Sequence, residues 1–363
     1  MPTEHVERLS AGLRKALDPV REFLAADDVE EIFVNRPGEV FVKTNTTTTR
    51  FPCPALSYDE CLGLCILVAN ARDQRIGEDA PLLTTALPAD PSFCNAQLRF
   101  TAVIPPCVEP GLVSIAIRKQ SIRNFTLDDL GGGGLFRTTQ VTHRDAGTAV
   151  SPSLHPELSM VAGSFQRRVR RRALPPIEGA DAAAASGDIV TLLRLLVRHH
   201  RNIMVSGPTG SGKTTVLNAL AKEIPAHERI VSIEDARELR CDHPNRVHLL
   251  CPSNDGGIAK TNARELLRHM LRMSPTRALL SEIRGPEAYT YLEALNTGHP
   301  GSLSTIHADS AEDAKTRLAM AAARAFEGLR DADMRELVEE YVDVFLHVKP
   351  LPDGRLVSEV QWL

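Results

Sequence analysis

NIMVSGPTGSGKTT, residues 202–215, decides the fold. Asn202 to Ser206 reads as a short buried strand, glycines at 207, 210 and 212 break it, and Lys213 to Ile224 reads as a helix. Gly207 to Thr214 satisfies G-x-x-x-x-G-K-[ST] in the strand–turn–helix setting that this pattern requires. The glycines let successive backbone N–H groups point at phosphate oxygens, and the following helix adds its positive end to the same anion site. The expected nucleotide-binding residues are Gly207, Pro208, Thr209, Gly210, Ser211, Gly212, Lys213, Thr214 and Thr215. Among them Lys213 is expected to reach the β- and γ-phosphates of the nucleotide, and the Thr214 hydroxyl to complete the shell of Mg2+.

Around this stretch, short apolar runs alternate with helical ones. Strands are expected at Arg229 to Glu234, Arg246 to Leu250, Arg277 to Ile283 and Ser302 to Ile306. Helices are expected at Leu192 to His200, Asn262 to Met273, Glu287 to Asn296 and Ala311 to Phe326. That alternation predicts an α/β domain with a parallel-rich sheet over 186–363, closed by a hairpin around Pro352-Asp353-Gly354. Residues 1–130 read instead as a smaller α+β domain. A helix spans Val6 to Leu24, a hairpin folds VEEIFVNRPGEVFVK (Val29 to Lys43), another helix covers Tyr58 to Asn70, and strands run over Gln97 to Ile104 and Leu112 to Lys119. Between the two, 131–185 opens on four glycines and carries Pro, Ser, Thr, an alanine run and RRVRRR (167–172), so a flexible Gly/Arg/Ala-rich linker is expected.

The chain's 363 residues suit two domains, each able to bury a core. With 42 Lys+Arg against 46 Asp+Glu, the net charge of −4 argues against a protein that coats nucleic acid, and sequence-specific nucleic-acid binding is not expected. Apolar residues make up 43% of the chain, which excludes wholly disordered and collagen-like classes. No apolar run approaches the ~20 residues of a membrane span, and MPTEHVERLS does not read as a signal peptide. A soluble, cytoplasmic chain is the expectation. The 7 cysteines lack C-x-x-C pairs and are expected as small apolar core residues.

Hydrolysis needs an acid to handle metal or water. Glu234, followed by Asp235, ends one apolar strand, and Glu282 ends another; in an open α/β sheet the carboxyl ends of strands face the ligand crevice. A third cluster, TGHPGSLSTIHA (Thr297 to Ala308), brings His299 and His307 within reach of a γ-phosphate, or leaves them as two partly exposed histidines with no role.

These motifs in this order resemble the type II/type IV secretion ATPase superfamily, closest to the VirB-like traffic ATPases of type IV secretion systems. GPTGSGKTT resembles the family's Walker A, IEDARELR its Asp box, ALLSEIRGPEA its Glu-ending Walker B and TGHPGSLSTIHA its His box. VNRPGEVFV, LRFTAVIPP and VSIAIRK resemble its N-terminal domain. Departures are Ser281, where Gly is commoner, and SFCNAQLRF, which lacks a Gly-containing turn before Arg99.

The resemblance implies a C-terminal RecA-like P-loop ATPase domain behind the α+β domain. Glu282 polarises the attacking water and Glu234 helps to hold Mg2+ or that water, without deciding which is the principal base. His307 and His299 sense the γ-phosphate, and Arg99 and Arg118 present guanidinium groups to the nucleotide across the domain cleft. Arg240 and Arg284 are further candidates for charge contacts. A homohexamer at the cytoplasmic face of the inner membrane is implied, partnered by other inner-membrane and cytoplasmic components of the machine and, through the arginine run, by anionic lipid. Its work is substrate transport or pilus biogenesis. The alternatives are a type IV pilus or type II secretion assembly ATPase, or a nucleotide-gated scaffold with little turnover.

Overall fold

The computed structural model describes residues 8–44, 47–119, 124–143, 176–251, 261–325, 331–351 and 354–362. The chain separates into two compact units, one built on residues up to Arg123 and one on residues from Asn124 onward, the short segments Asp235–Arg237 and Cys251–Thr261 aside.

The first unit opens with α1 (Ala11–Leu17) and α2 (Arg21–Ala25), separated by a 3-10 turn at Asp18–Val20. The single helix expected over Val6 to Leu24 is thus broken at Pro19, which cannot donate an interior helical hydrogen bond. Strands β1 (Val29–Val34), β2 (Gly38–Thr44) and β3 (Thr48–Cys53) follow, then helix α3 (Tyr58–Asn70) and strands β4 (Leu82–Leu87), β5 (Leu98–Val103) and β6 (Ser114–Lys119). They form an antiparallel sheet in the order β3-β2-β1-β6-β5-β4. The β1–β2 hairpin forms as its alternating pattern predicted. Strands β3 and β4 went unread because TTRFPC and LLTTAL lack a clear period-2 signal; β3 is an edge strand exposed at every position except Cys53. One face of the sheet buries Ile32, Val42, Phe100 and Ile117 with Leu13, Leu17, Leu64 and Val68 of the helices. All seven cysteines are free thiols, and all but Cys107 are buried.

The second unit begins with α4 (Leu127–Gly132) and β7 (Gln140–His143), resumes at α5 (Ala180–Ser186) and α6 (Ile189–Arg198), and then enters the strand–helix alternation. Its remaining strands are β8 (Ile203–Ser206), β9 (Ile230–Glu234), β10 (Arg246–Leu250), β11 (Arg277–Ile283), β12 (Leu303–Ile306), β13 (Val344–Leu351) and β14 (Gly354–Trp362). Its remaining helices are α7 (Lys213–Ala221), α8 (Ala263–Met270), α9 (Glu287–Asn296), α10 (Ala311–Ala323) and α11 (Asp331–Tyr341). The sheet order is β10-β9-β11-β12-β8-β13-β14-β7. It is parallel from β10 to β13, turns antiparallel at the β13–β14 hairpin, and ends with β7 parallel to β14. β8, β9 and β12 are buried at every position, as strands covered on both faces must be.

Both described ends of the stretch 131–185, expected as linker, are built into the second unit. At its N-terminal side α4 is closed by a Thr126–Asp129 capping box, and β7 joins the sheet. At its C-terminal side Ala180 and Ala183 of α5 are buried in the core beside Leu192 and Leu196. Small residues here serve close packing: a Cβ on Gly131 would lie 2.7 Å from Val190 Cγ2. Composition alone cannot tell a glycine that frees a chain from one that admits a neighbour. The middle of the stretch, 144–175 with RRVRRR, lies outside the described residues. No helix among the described residues is long and apolar enough to cross a membrane.

Candidate nucleotide site

The site lies at the carboxyl ends of β8, β9, β11 and β12. The loop leaving β8 needs glycine at two points for different reasons. A Cβ on Gly207 would sit 2.4 Å from Val348 O and 2.5 Å from Ser211 Oγ, and Gly212 takes φ +96 as it turns into α7. Lys213 is buried, and its ammonium donates to Gly207 O and Pro208 O, each at 2.9 Å. Its Nζ also lies 3.2 Å from His307 Nδ1. Thr209 and Gly210 form the exposed crest, while Ser211 Oγ is buried with no hydrogen-bond partner.

Glu282 is aimed by a bulge. The pairing of β11 with β12 slips between Leu280 and Ile283, which displaces the residues between them, and Thr305 Oγ1 ties the slip down by donating to Ser281 O at 2.6 Å. The Arg284 fork grips Glu282 with both arms, Nε to Oε1 at 2.9 Å and Nη2 to Oε2 at 3.0 Å, and His307 Nε2 stands 2.9 Å from Oε1. Burial pushes the Glu282 carboxyl up, but Arg284, His307 and Lys213 together hold it below the ordinary carboxylate value. His307 is pushed below the ordinary imidazole value, first by burial and then by Lys213 and Arg284, against the opposing pull of Glu282. A neutral ring accepting from Lys213 at Nδ1 and donating to Glu282 from Nε2 satisfies both of these side-chain contacts. Lys213, His307, Glu282 and Arg284 thus form one continuous polar chain.

Two expected site residues are placed differently. Glu234 is buried at the end of β9, with both carboxylate oxygens engaged. Oε2 accepts the backbone N–H groups of Glu238 and Leu239, each at 2.7 Å; Oε1 accepts the Ser232 hydroxyl at 3.2 Å and lies 3.2 Å from His248 Nδ1. The acid that meets the Thr214 hydroxyl is Glu238, whose Oε2 accepts it at 3.1 Å. Asn218, one turn along α7 from Thr214, fastens the same segment: its Nδ2 donates to Glu238 O at 3.0 Å and its Oδ1 accepts from Arg240 N at 2.8 Å. Glu238 was legible as the third acid in IEDARELR, four residues after Glu234, but spacing could not say which acid turns toward the loop.

His299 and His307 are separated by the strand between them. β12 runs parallel to β8, Leu303 beside Ile203 and Ile306 beside Ser206. His307 follows β12 at the end where the phosphate loop leaves β8, and His299 precedes it at the opposite edge of the sheet. There Asn202 Oδ1 accepts from Gly301 N at 2.8 Å and Ser302 N at 3.1 Å, and Arg277 donates to Gly301 O at 3.2 Å while gripping Glu228. Burial lowers the His299 pKa, opposed by a backbone contact to Ala294. Its surroundings are those of a structural turn.

Arg355 of β14 was not anticipated: its Nε donates to Gly210 O at 3.3 Å, and its Cδ occupies the space beside Gly212. Arg240 is lowered by burial, and Arg284 is accounted for by its grip on Glu282. Arg99 and Arg118 belong to the first unit, directly opposite each other on β5 and β6.

Known proteins point the same way. Residues 167–342 match the family described as type II/IV secretion system protein. The chain is 36% identical over 368 residues to the type IV secretion system protein VirB11 of Brucella suis biovar 1, covering 99% of this chain and 92% of that protein. It is 37% identical over 337 residues to the type IV secretion system protein PtlH of Bordetella pertussis, covering 92% and 89%. The fold is similar to that of the Legionella pneumophila ATPase DotB, with TM-score 0.55 and 16% identity over 98% of this chain and 81% of that one.

Proposed function

The chain belongs to the type II/IV secretion system family, among its VirB11-like members, and from that premise we propose that it is a traffic ATPase of a type IV secretion system, converting ATP to ADP and phosphate to power substrate transport or pilus biogenesis. The observation that carries this reading is the chain Lys213–His307–Glu282–Arg284 beside the phosphate loop.

Each member has a task that follows from its contacts. The ammonium of Lys213 donates to two loop carbonyls, and the β- and γ-phosphate oxygens of ATP compete for those protons with full negative charge. His307 shares Lys213 and therefore registers whether a γ-phosphate has drawn the ammonium away. Glu282, kept ionised by Arg284, is an acceptor positioned to orient a water for attack. Arg284 acts through Glu282 and is a positioning residue. Arg355 braces the loop crest.

Mg2+ bound with the nucleotide neutralises phosphate charge, and the oxygen donors that fit it here are the Thr214 hydroxyl and the Glu238 carboxylate. Glu234 supports that pair from behind by fixing the backbone of Glu238. Arg99 and Arg118 keep the nucleotide-contacting role implied by the resemblance. So do the homohexamer, its peripheral place at the cytoplasmic face of the inner membrane and its partners in the machine.

Phosphate release by the purified protein tests the proposal. Lys213→Ala and Glu282→Ala each reduce turnover at least about a hundred-fold. Tight ATP binding with no phosphate release by the unaltered chain would replace the enzyme with a nucleotide-gated scaffold.

A further inference from the structure

Four donors hold Glu234, and two of them are side chains. Residues 232 and 234 lie on one face of β9, because strand side chains alternate. The outermost strand, β10, pairs with β9 in parallel and puts His248 directly beside Ser232. The Ser232 hydroxyl donates to Glu234 Oε1 at 3.2 Å and lies 2.6 Å from His248 Nδ1. That ring nitrogen is itself 3.2 Å from the same Oε1. Ser232 and Glu234 are buried, and the His248 side chain is 22% exposed.

Counting hydrogens assigns the tautomer. The Ser232 hydroxyl has one hydrogen, and it goes to Glu234. The hydrogen between Ser232 and the ring must then come from Nδ1, which also faces Glu234 Oε1. On the other oxygen, Oε2 accepts the backbone N–H groups of Glu238 and Leu239. A carboxylate offers about four lone-pair sites, and two amides, a hydroxyl and an imidazole occupy them. Glu234 is thereby locked in the rotamer that holds the backbone at 238–239. The same backbone presents Glu238 Oε2 to the Thr214 hydroxyl.

We infer that His248 is a positioning residue for the Mg2+ end of the site. By holding Glu234 Oε1 it keeps Oε2 on the two amides, and so keeps the Glu238 carboxylate at Thr214. The inference rests on the ATPase reading above, with Thr214 and Glu238 as the oxygen donors for Mg2+. Without His248, Oε1 retains only the hydroxyl, the carboxylate gains freedom to turn, and Glu238 loses its fixed backbone. The loss is felt through the metal rather than through the phosphate loop.

The test has two arms, both on the full chain. In the first, ATP is titrated calorimetrically with and without Mg2+. His248→Leu lowers the tightening that Mg2+ gives by about five-fold, the worth of one hydrogen bond. In a Glu238→Gln background that effect vanishes, since both residues act through one carboxylate. His248→Asn, whose side-chain amide donates in place of Nδ1, restores the tightening. In the second arm, hydrogen exchange is followed in the nucleotide-free protein. The Glu238 and Leu239 amides exchange about five-fold faster in His248→Leu, while those of β11 keep their rates.

A purely structural role for His248 would speed exchange across the sheet and weaken ATP equally with and without Mg2+; either result overturns the inference. So does His248→Asn behaving no better than His248→Leu, or an effect undiminished by Glu238→Gln. If Glu238→Gln itself leaves the Mg2+ tightening unchanged, Glu238 is not the metal's donor, and the inference falls with the ATPase reading intact. No ATP binding by the unaltered chain removes the ATPase proposal, and this inference with it.

Discussion

Thr214 donates its hydroxyl hydrogen to Glu238 at 3.1 Å, while Glu234, four residues earlier, has both oxygens committed to its own surroundings. Two of the three acids of one short motif therefore separate into a ligand-facing group, Glu238, and a backbone anchor, Glu234. Glu238→Gln weakens ATP binding about ten-fold when Mg2+ is present and little when it is withheld, measured by calorimetry under both conditions. Glu234→Gln lowers the stability of the nucleotide-free protein by about 1–3 kcal/mol, because a buried acceptor of two backbone N–H groups is compromised. Urea unfolding measures that loss.

Arg284 sets the protonation of Glu282. Its fork is the largest of the influences that oppose burial, so Arg284→Ala lets burial prevail and the Glu282 pKa rises. The acid limb of the phosphate-release profile then moves to higher pH, while the rate on the plateau falls less than in Glu282→Ala. An acid limb that stays in place would falsify the positioning role of Arg284.

The two histidines of the Thr297–Ala308 segment part company in function as they do in space. His307→Ala costs about a hundred-fold in turnover, since the link from Lys213 to Glu282 is cut. His299→Ala stays within about three-fold and acts on melting temperature instead. Comparable losses of turnover in both variants would contradict the opposite-edge placement.

His307 also leaves a mark on stability. Its folded pKa lies below the ordinary 6.5, so between the two values the unfolded chain binds the proton and the native protein does not. The stability it contributes is complete above about pH 6.5 and is lost as pH falls through the lower, folded value. His200, His299 and His347 are shifted in the same direction and add to the acid-side loss. Urea unfolding at about pH 7.5 and about pH 5.5 should show a smaller difference for His307→Asn than for the unaltered chain.

At the far edge of the same sheet, Arg277 is fully buried and gripped by buried Glu228 at 2.5 Å and 3.1 Å, with His200 3.4 Å from Glu228. Burial pushes the Glu228 carboxyl up, yet Arg277 holds it below the ordinary value. Glu228→Gln strands an arginine in the interior and costs about 3–5 kcal/mol in unfolding free energy, with ATP affinity at the opposite edge unchanged in the folded fraction.

The legibility of this chain follows the range of the forces involved. A phosphate loop is written in contiguous residues, because backbone curvature and helix start are local. GPTGSGKTT therefore announced its strand, turn and helix, and the alternation after it announced a parallel sheet. The β1–β2 hairpin was readable for the same reason. Glycine and alanine at Gly131, Ala180 and Ala183 were misread, since their use depends on neighbours such as Val190 that are distant in sequence.

The sequence by itself determined the kind of chemistry: a cradle for phosphate, acids at strand ends, histidines nearby, and the family to which these belong. Only the tertiary structure decided which acid meets Thr214, which histidine joins Lys213 to Glu282, and that a bulge and an arginine fork aim the latter. Those choices depend on strand register and on which edge of a sheet a residue occupies, and both are fixed by packing between segments far apart along the chain.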